Sequence, residues 1–259
     1  MVPPSEAYTL ARTAAARALQ LDEELPEAHY AVAIVKTDFE RDWPGAEREF
    51  QRAISLNPSS VDAHHRYSHM LEALDRPDES LAETERALAI DPFDPLINAH
   101  LGWHYLSIGK LDQAAAQCVK ALNLGETYFV HFYLGRVYEE RRRYDDAIAE
   151  FTRAHDLFKG DTESMTAIGH AYAASGRRRQ AQAVIDELDA LGHSRYVSHG
   201  YKALIYAGLG DKERAIAILQ QTFEESAEWL MYLNLDSRYQ PLRADARFQE
   251  LVRRAGLVR

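Results

Sequence analysis

Small and apolar residues return along this chain at helical spacing, and strand-like alternation is missing. Residues 98–105 read NAHLGWHY, and 33 residues later 131–138 read HFYLGRVY, each with Leu-Gly and then Tyr three residues after the Gly. The pattern extends well beyond that pair. Small residues within successive first helices fall at Ala33, Ser68, Gly102, Gly135, Gly169 and Ala203, in steps of 35, 34, 33, 34 and 34. Small residues early in the second helices fall at Ala46, Ser80, Ala114, Ala147, Ala181 and Ala215, in steps of 34, 34, 33, 34 and 34. A third series, Ala53, Ala87, Ala121, Ala154, Leu188 and Thr222, repeats those steps. Three in-phase series at one period predict an all-α array of helical hairpins, since each hairpin can bury its apolar face only against its neighbours.

Aromatic and turn residues obey the same period. Tyr105, Tyr138, Tyr172 and Tyr206 occupy one slot late in the first helix, and Asn57-Pro58 and Asp91-Pro92 close two second helices. Helices that cross closely need small side chains at the contact, and an aromatic fills the gap beside them. A Pro after a helix cannot continue it. Gly109, Gly176 and Gly210 fall in the turns within hairpins, where a left-handed backbone suits Gly. In these features residues 5–225 resemble the tetratricopeptide repeat (TPR) family. The resemblance implies a right-handed α-solenoid of tandem hairpins whose first helices line a concave, protein-binding groove.

The sequence departs from the family pattern in places. Lys36 and Leu71 replace the aromatic, and Gly125-Glu126 replaces the Asp-Pro boundary with one residue lost. Residues 37–47, TDFERDWPGAE, hold one extra residue, with Trp43-Pro44 expected in the turn. The last repeat is weak in its first helix, around His199, Gly200 and Lys202. The expected organisation is a single array over 1–259: a lone second helix at 5–22, about six repeats over 26–225, and a helical cap at 226–259. Trp229, Leu230, Leu233, Leu235, Tyr239, Leu242, Phe248 and Leu251 read as the anchors of that cap. The unpartnered helix at the start points to a piece of a longer protein, because a natural solenoid end is usually a polar cap. The tail is similar in style to the TPR regions that end multidomain bacterial regulators.

Composition narrows the partners. Acidic residues outnumber basic ones 40 to 30, and the net charge of −10 argues against nucleic acid and against an anionic membrane surface. No apolar run reaches membrane-spanning length. The single cysteine, Cys118, excludes an internal disulfide and fits a reducing, cytoplasmic setting. No phosphate loop, dinucleotide fingerprint, nucleophile elbow or paired catalytic carboxylates are present, so a non-enzymatic module without cofactor is expected.

If the resemblance holds, the groove slots are Tyr30, Ile34 and Thr37; His65, His69 and Glu72; Ala99, Trp103 and Leu106; Phe132, Arg136 and Glu139; and Thr166, His170 and Ala173. Each trio lies on one helical face. His65, His69, Trp103, Phe132, Arg136 and His170 are the candidate partner-binding residues, because rings offer contact area and Arg grips carboxylates bidentately. The repeat demands Leu101, Gly102 and Tyr105 but not Trp103. The Lys and Asn of the chaperone-tail carboxylate clamp are missing from these slots. His65/His69 and His100/His104 are each four apart, as zinc ligands on one helix can be. Too few further ligands accompany them, and groove or interhelix packing is the simpler reading. Arg141-Arg142-Arg143 and Arg177-Arg178-Arg179 fall at turns of adjacent repeats and should form a basic ridge. Such a ridge could dock an acidic partner, but charge runs are more often solvated faces. A protein or peptide partner is therefore expected, with self-association through a bare solenoid end, as a homodimer, as the alternative.

Overall fold

The computed structural model describes residues 4–159, 161–194, 197, 200–223 and 231–257. Fourteen α-helices account for most of them, and no strand occurs among the described residues. The residues fall into two compact units. Unit 1 comprises the described parts of 1–92, 223–235 and 252–259, and unit 2 those of 93–222 and 236–251.

Unit 1 contains α1 (Pro4–Leu21), α2 (Pro26–Val35), α3 (Trp43–Leu56), α4 (Val61–Ala73) and α5 (Pro77–Ile90). Helices α2 and α3 form one hairpin, α4 and α5 the next, and α1 packs on α2. Unit 2 contains α6 (Pro95–Ser107), α7 (Leu111–Leu124), α8 (Tyr128–Glu140), α9 (Tyr144–Leu157), α10 (Thr162–Ala174), α11 (Arg178–Gly192), α12 (Gly200–Gly208) and α13 (Lys212–Thr222). These pair in order as four hairpins, and a 3-10 helix over Ser237–Leu242 packs on α12. Helix α14 (Ala246–Arg254) follows.

The period becomes packing. Ala46, Ser80, Ala114, Ala147, Ala181 and Ala215 are all fully buried. Four residues further on, Phe50, Thr84, Cys118, Phe151, Ile185 and Leu219 are also buried, forming the core position of each second helix. The facing first helices must be small there. A Cβ on Gly102 would lie 2.7 Å from Cys118 Sγ, and one on Gly135 would lie 2.6 Å from the Phe151 ring. First helices start on side-chain caps at one phase: Ser60, Asp94, Thr127 and Asp161 accept hydrogen bonds from the first-turn amides of α4, α6, α8 and α10.

One turn residue per hairpin takes the left-handed conformation. Gly109, Gly176 and Gly210 have φ of 75°, 80° and 79°, as the sequence predicts. At the same phase stand Arg41, Asp75 and Arg142, with φ of 56°, 58° and 58°, so half of these turns carry a side chain where Gly is favoured.

The extra residue of the first hairpin is not accommodated as expected. Residues Lys36–Glu40 form one π-helical turn, which absorbs the insertion inside the first helix. Arg41 therefore keeps its turn phase, 34 residues before Asp75. Trp43 and Pro44 do not sit in the turn but open α3. Trp43 is buried, and its Nε1 donates to the Ala255 carbonyl at 3.0 Å.

Candidate functional site

The expected slot residues lie mostly within the packed protein. In unit 1, His65 and His69 are buried on α4, with their Nε2 atoms 3.0 Å apart. His69 Nδ1 lies 3.1 Å from the Tyr232 hydroxyl, so a segment after the last repeat reaches this slot. One imidazole must donate and the other accept across the Nε2···Nε2 contact, which disfavours protonation of both rings together.

In unit 2, Trp103 is half-buried, its ring centroid 4.8 Å from that of His104 and 6.3 Å from that of Tyr133. Phe132 is 5% exposed and sits among Tyr128, Tyr133 and Phe151, so its ring is part of the core. His100 places Nδ1 2.9 Å from the Leu96 carbonyl and packs on Phe129 and Tyr133; His104 is fully buried.

Arg136 and His170 are brought together. They stand on α8 and α10 with Glu139 between them. His170 Nδ1 lies 2.7 Å from Glu139 Oε1, and Arg136 Nε is 3.5 Å from Glu139 Oε2. A segment from beyond the repeats completes the cluster. Arg136 Nη2 donates to Asp236 Oδ1 at 3.0 Å and to Ser237 Oγ at 3.3 Å. The Ser237 hydroxyl also meets Glu140. Asp236 in turn holds its own neighbour, receiving Arg238 Nε at 3.0 Å and Nη2 at 2.7 Å. Burial pushes the Asp236 carboxyl up, but the Arg136 and Arg238 charges outweigh it and hold the group well below the ordinary carboxylate range. At Glu139, too, burial raises, while His170, Arg238 and Arg136 lower, and the net direction is down. Both carboxylates are thus held in the charged form by cations on either side.

Nothing periodic in the sequence marked Asp236, Ser237 or Arg238. They lie in or beside a 3-10 helix containing Pro241, and Asp236 meets its partner 100 residues away. Of the tail anchors read from the sequence, Leu233, Tyr239, Leu242, Phe248 and Leu251 are buried, Leu235 is half-buried, and Trp229 and Leu230 lie outside the described residues, as does His199.

The Arg runs are largely engaged locally. Arg141 Nη2 lies 2.5 Å from Asp112, and Arg177 Nη2 2.5 Å from Asp145, each reaching the preceding hairpin. Arg143 pairs with Asp146 at 2.7 Å and stacks over the Tyr138 ring. Arg177 stacks over Tyr172, and Arg178 reaches the Leu209 carbonyl. Arg142 and Arg179 are exposed.

Comparison with known proteins agrees with the hairpin architecture. Two family models, both described as tetratricopeptide repeat, match residues 39–95 and 100–162, and residues 139–200. Among solved structures, the chain is similar to one in the APC/C hetero-tetramer Cut9-Hcn1, with a TM-score of 0.68 and 17% identity. That likeness covers 97% of this chain but 46% of the other, so this chain spans about half its length. It is similar to PilW, described as a widely conserved type IV pilus biogenesis factor, with a TM-score of 0.59, 22% identity and coverage of 72% and 86%. It is also similar to a thermophilic TPR protein of Thermus thermophilus, with a TM-score of 0.58, 20% identity and coverage of 63% and 90%. At these identities the likeness is one of fold. No described helix is long and apolar enough to cross a membrane.

Proposed function

Since the chain belongs to the tetratricopeptide-repeat family, whose arrays are protein-interaction scaffolds, we propose that its first-helix slots recognise an extended segment of a partner protein. Arg136 and His170 are the centre of that site. Trp103 extends the recognition surface within unit 2, and His65 and His69 offer a further one in unit 1. Phe132 supports the site from the core. The supporting observation is the cluster at Arg136, a buried guanidinium whose carboxylate partner comes from a non-repeat segment. A desolvated Arg with a matched carboxylate is the kind of contact that dominates protein interfaces. Such a module would serve as the scaffold or sensor part of a larger bacterial regulatory protein in the cytoplasm.

Selection of a displayed peptide library against the protein tests this reading. Enriched peptides should lose binding to the Arg136→Ala variant by about tenfold or more, as for an anchoring contact worth over about 1.4 kcal/mol. Peptides that bind that variant unchanged would place the site elsewhere.

A second reading, self-association through α1, rests on its own observation. Ala11 is exposed at the phase where Ala46, Ser80, Ala114, Ala147, Ala181 and Ala215 are buried, and Leu10 and Leu21 are 63% and 74% exposed. Light scattering over a concentration series should then show a dimer that Leu10→Glu dissolves. A monomer at all concentrations ends this reading.

A further inference from the structure

We propose that residues 236–242 are a tethered ligand of the α8–α10 slots. A partner displaces them by presenting the same chemistry: an acidic residue, an Arg two positions on, and an aromatic next to it. This deepens the slot-recognition reading and rests on it.

The segment is held as a bound peptide would be. It is not a helical hairpin and does not continue the period; it is a short 3-10 helix laid on the array. Its charges face the opposite charges of the slots. Asp236 meets Arg136, while Arg238 lies in the field of Glu139 and Glu163. The slot thus presents a cation and an anion, and the segment answers with an anion and a cation in the order Asp-Ser-Arg. Tyr239 and Leu242 then bury their apolar parts beside these slots, where the 3-10 helix packs on α12 and the Tyr239 ring lies 5.7 Å from that of Phe248 on α14.

The fit is incomplete. Among the described residues, Arg136 Nε, Glu139 Oε2 and Arg238 Nη1 are buried without a hydrogen bond, the first two facing each other only as an ion pair at 3.5 Å. A buried donor or acceptor left unmade weakens a charged network. A segment that supplied those hydrogen bonds would bind better than the one in place. Tethering compensates for that deficit, because a linked segment binds at high effective concentration. The result is a slot that is closed to weak or mismatched peptides and open to a well-matched one.

The probe is a fluorescent synthetic peptide of residues 233–243, LNLDSRYQPLR, titrated by anisotropy against the full chain and its Asp236→Ala variant. The variant, whose own segment is weakened, should bind the peptide at least tenfold more tightly than the parent chain. Arg136→Asp added to that variant should abolish binding, and a peptide with Arg in place of its Asp should restore it. Hydrogen exchange on the parent chain provides a second measurement if Asp236→Ala fails to fold. Excess peptide should speed exchange of the tethered 236–242 amides while α8 and α10 stay protected. Equal affinity for parent and variant, or unchanged exchange with peptide in excess, overturns the proposal. Library peptides that need Arg136 but are not competed by the 233–243 peptide would leave slot recognition standing and remove the tethered ligand alone.

Discussion

Two residues show how narrowly the hairpins are fitted. Gly102 faces Cys118, whose thiol pKa is pushed up to about 12 by burial, so it is protonated and acts as a small apolar group at neutral pH. Gly102→Ala should destabilise unit 2 by about 1–3 kcal/mol, the usual cost of overpacking. Adding Cys118→Ala removes the sulfur that the new methyl meets and should recover much of that loss. Urea unfolding of both variants checks this, and additive losses would mean the two positions do not touch. His131 carries a charge-dependent contact that the repeat pattern did not reveal. Its imidazole stands 2.6 Å from Glu150 and 3.0 Å from Glu126, and the Glu150 hydrogen bond leads in raising its pKa above the ordinary 6.5. The resulting stabilisation is full below pH 6.5 and fades as pH rises through the raised folded value. Glu150→Gln should bring the His131 titration midpoint, followed by NMR, back down.

At the scale of elements, the turns are where sequence and structure part company. The small-residue series and the glycines at 109, 176 and 210 were legible because close helix contact and positive φ both demand small residues. Arg41, Asp75 and Arg142 adopt the same backbone without advertising it, since a side chain there is tolerated at a cost. Arg142 reads as a turn residue within a basic ridge, but nothing in its side chain marks it as the left-handed position of that turn. Arg142→Gly should stabilise the α8–α9 hairpin by up to about 1 kcal/mol, the left-handed penalty less the added chain entropy of Gly. Thermal unfolding measures it, and a lower melting temperature would show that the side chain supports the turn. The first hairpin gives the complementary lesson. An insertion was legible from the step of 35, but its place was not, because π-helical and turn insertions leave the same count.

At the scale of the molecule, the repeats were readable and their non-repeating partners were not. Arg136 and His170 could be put on one face by phase alone. Asp236 could not, because no period links a 3-10 segment to a helix 100 residues earlier. Removing that carboxylate leaves Arg136 buried without its main partner. Asp236→Asn should thus cost about 3–5 kcal/mol at neutral pH, the range for breaking a buried pair. Because the folded carboxylate pKa is depressed, this contribution is present above the ordinary 3.8 and is lost as pH falls below it. The parent and variant unfolding midpoints should therefore converge in strong acid, and a gap that persists there would assign the effect to shape instead of charge.

The bond from Trp43 to the Ala255 carbonyl sets a schedule for the newborn chain. Most hairpins find their partners within a few dozen residues and can close as they leave the ribosome, since helices form in about a microsecond. Trp43 must wait for a residue 212 positions later. At about 5–20 residues per second, that is a delay of roughly 10–40 seconds during which the indole lacks its native acceptor and can donate only to water. The first of these hairpins to be made is thus among the last to be finished.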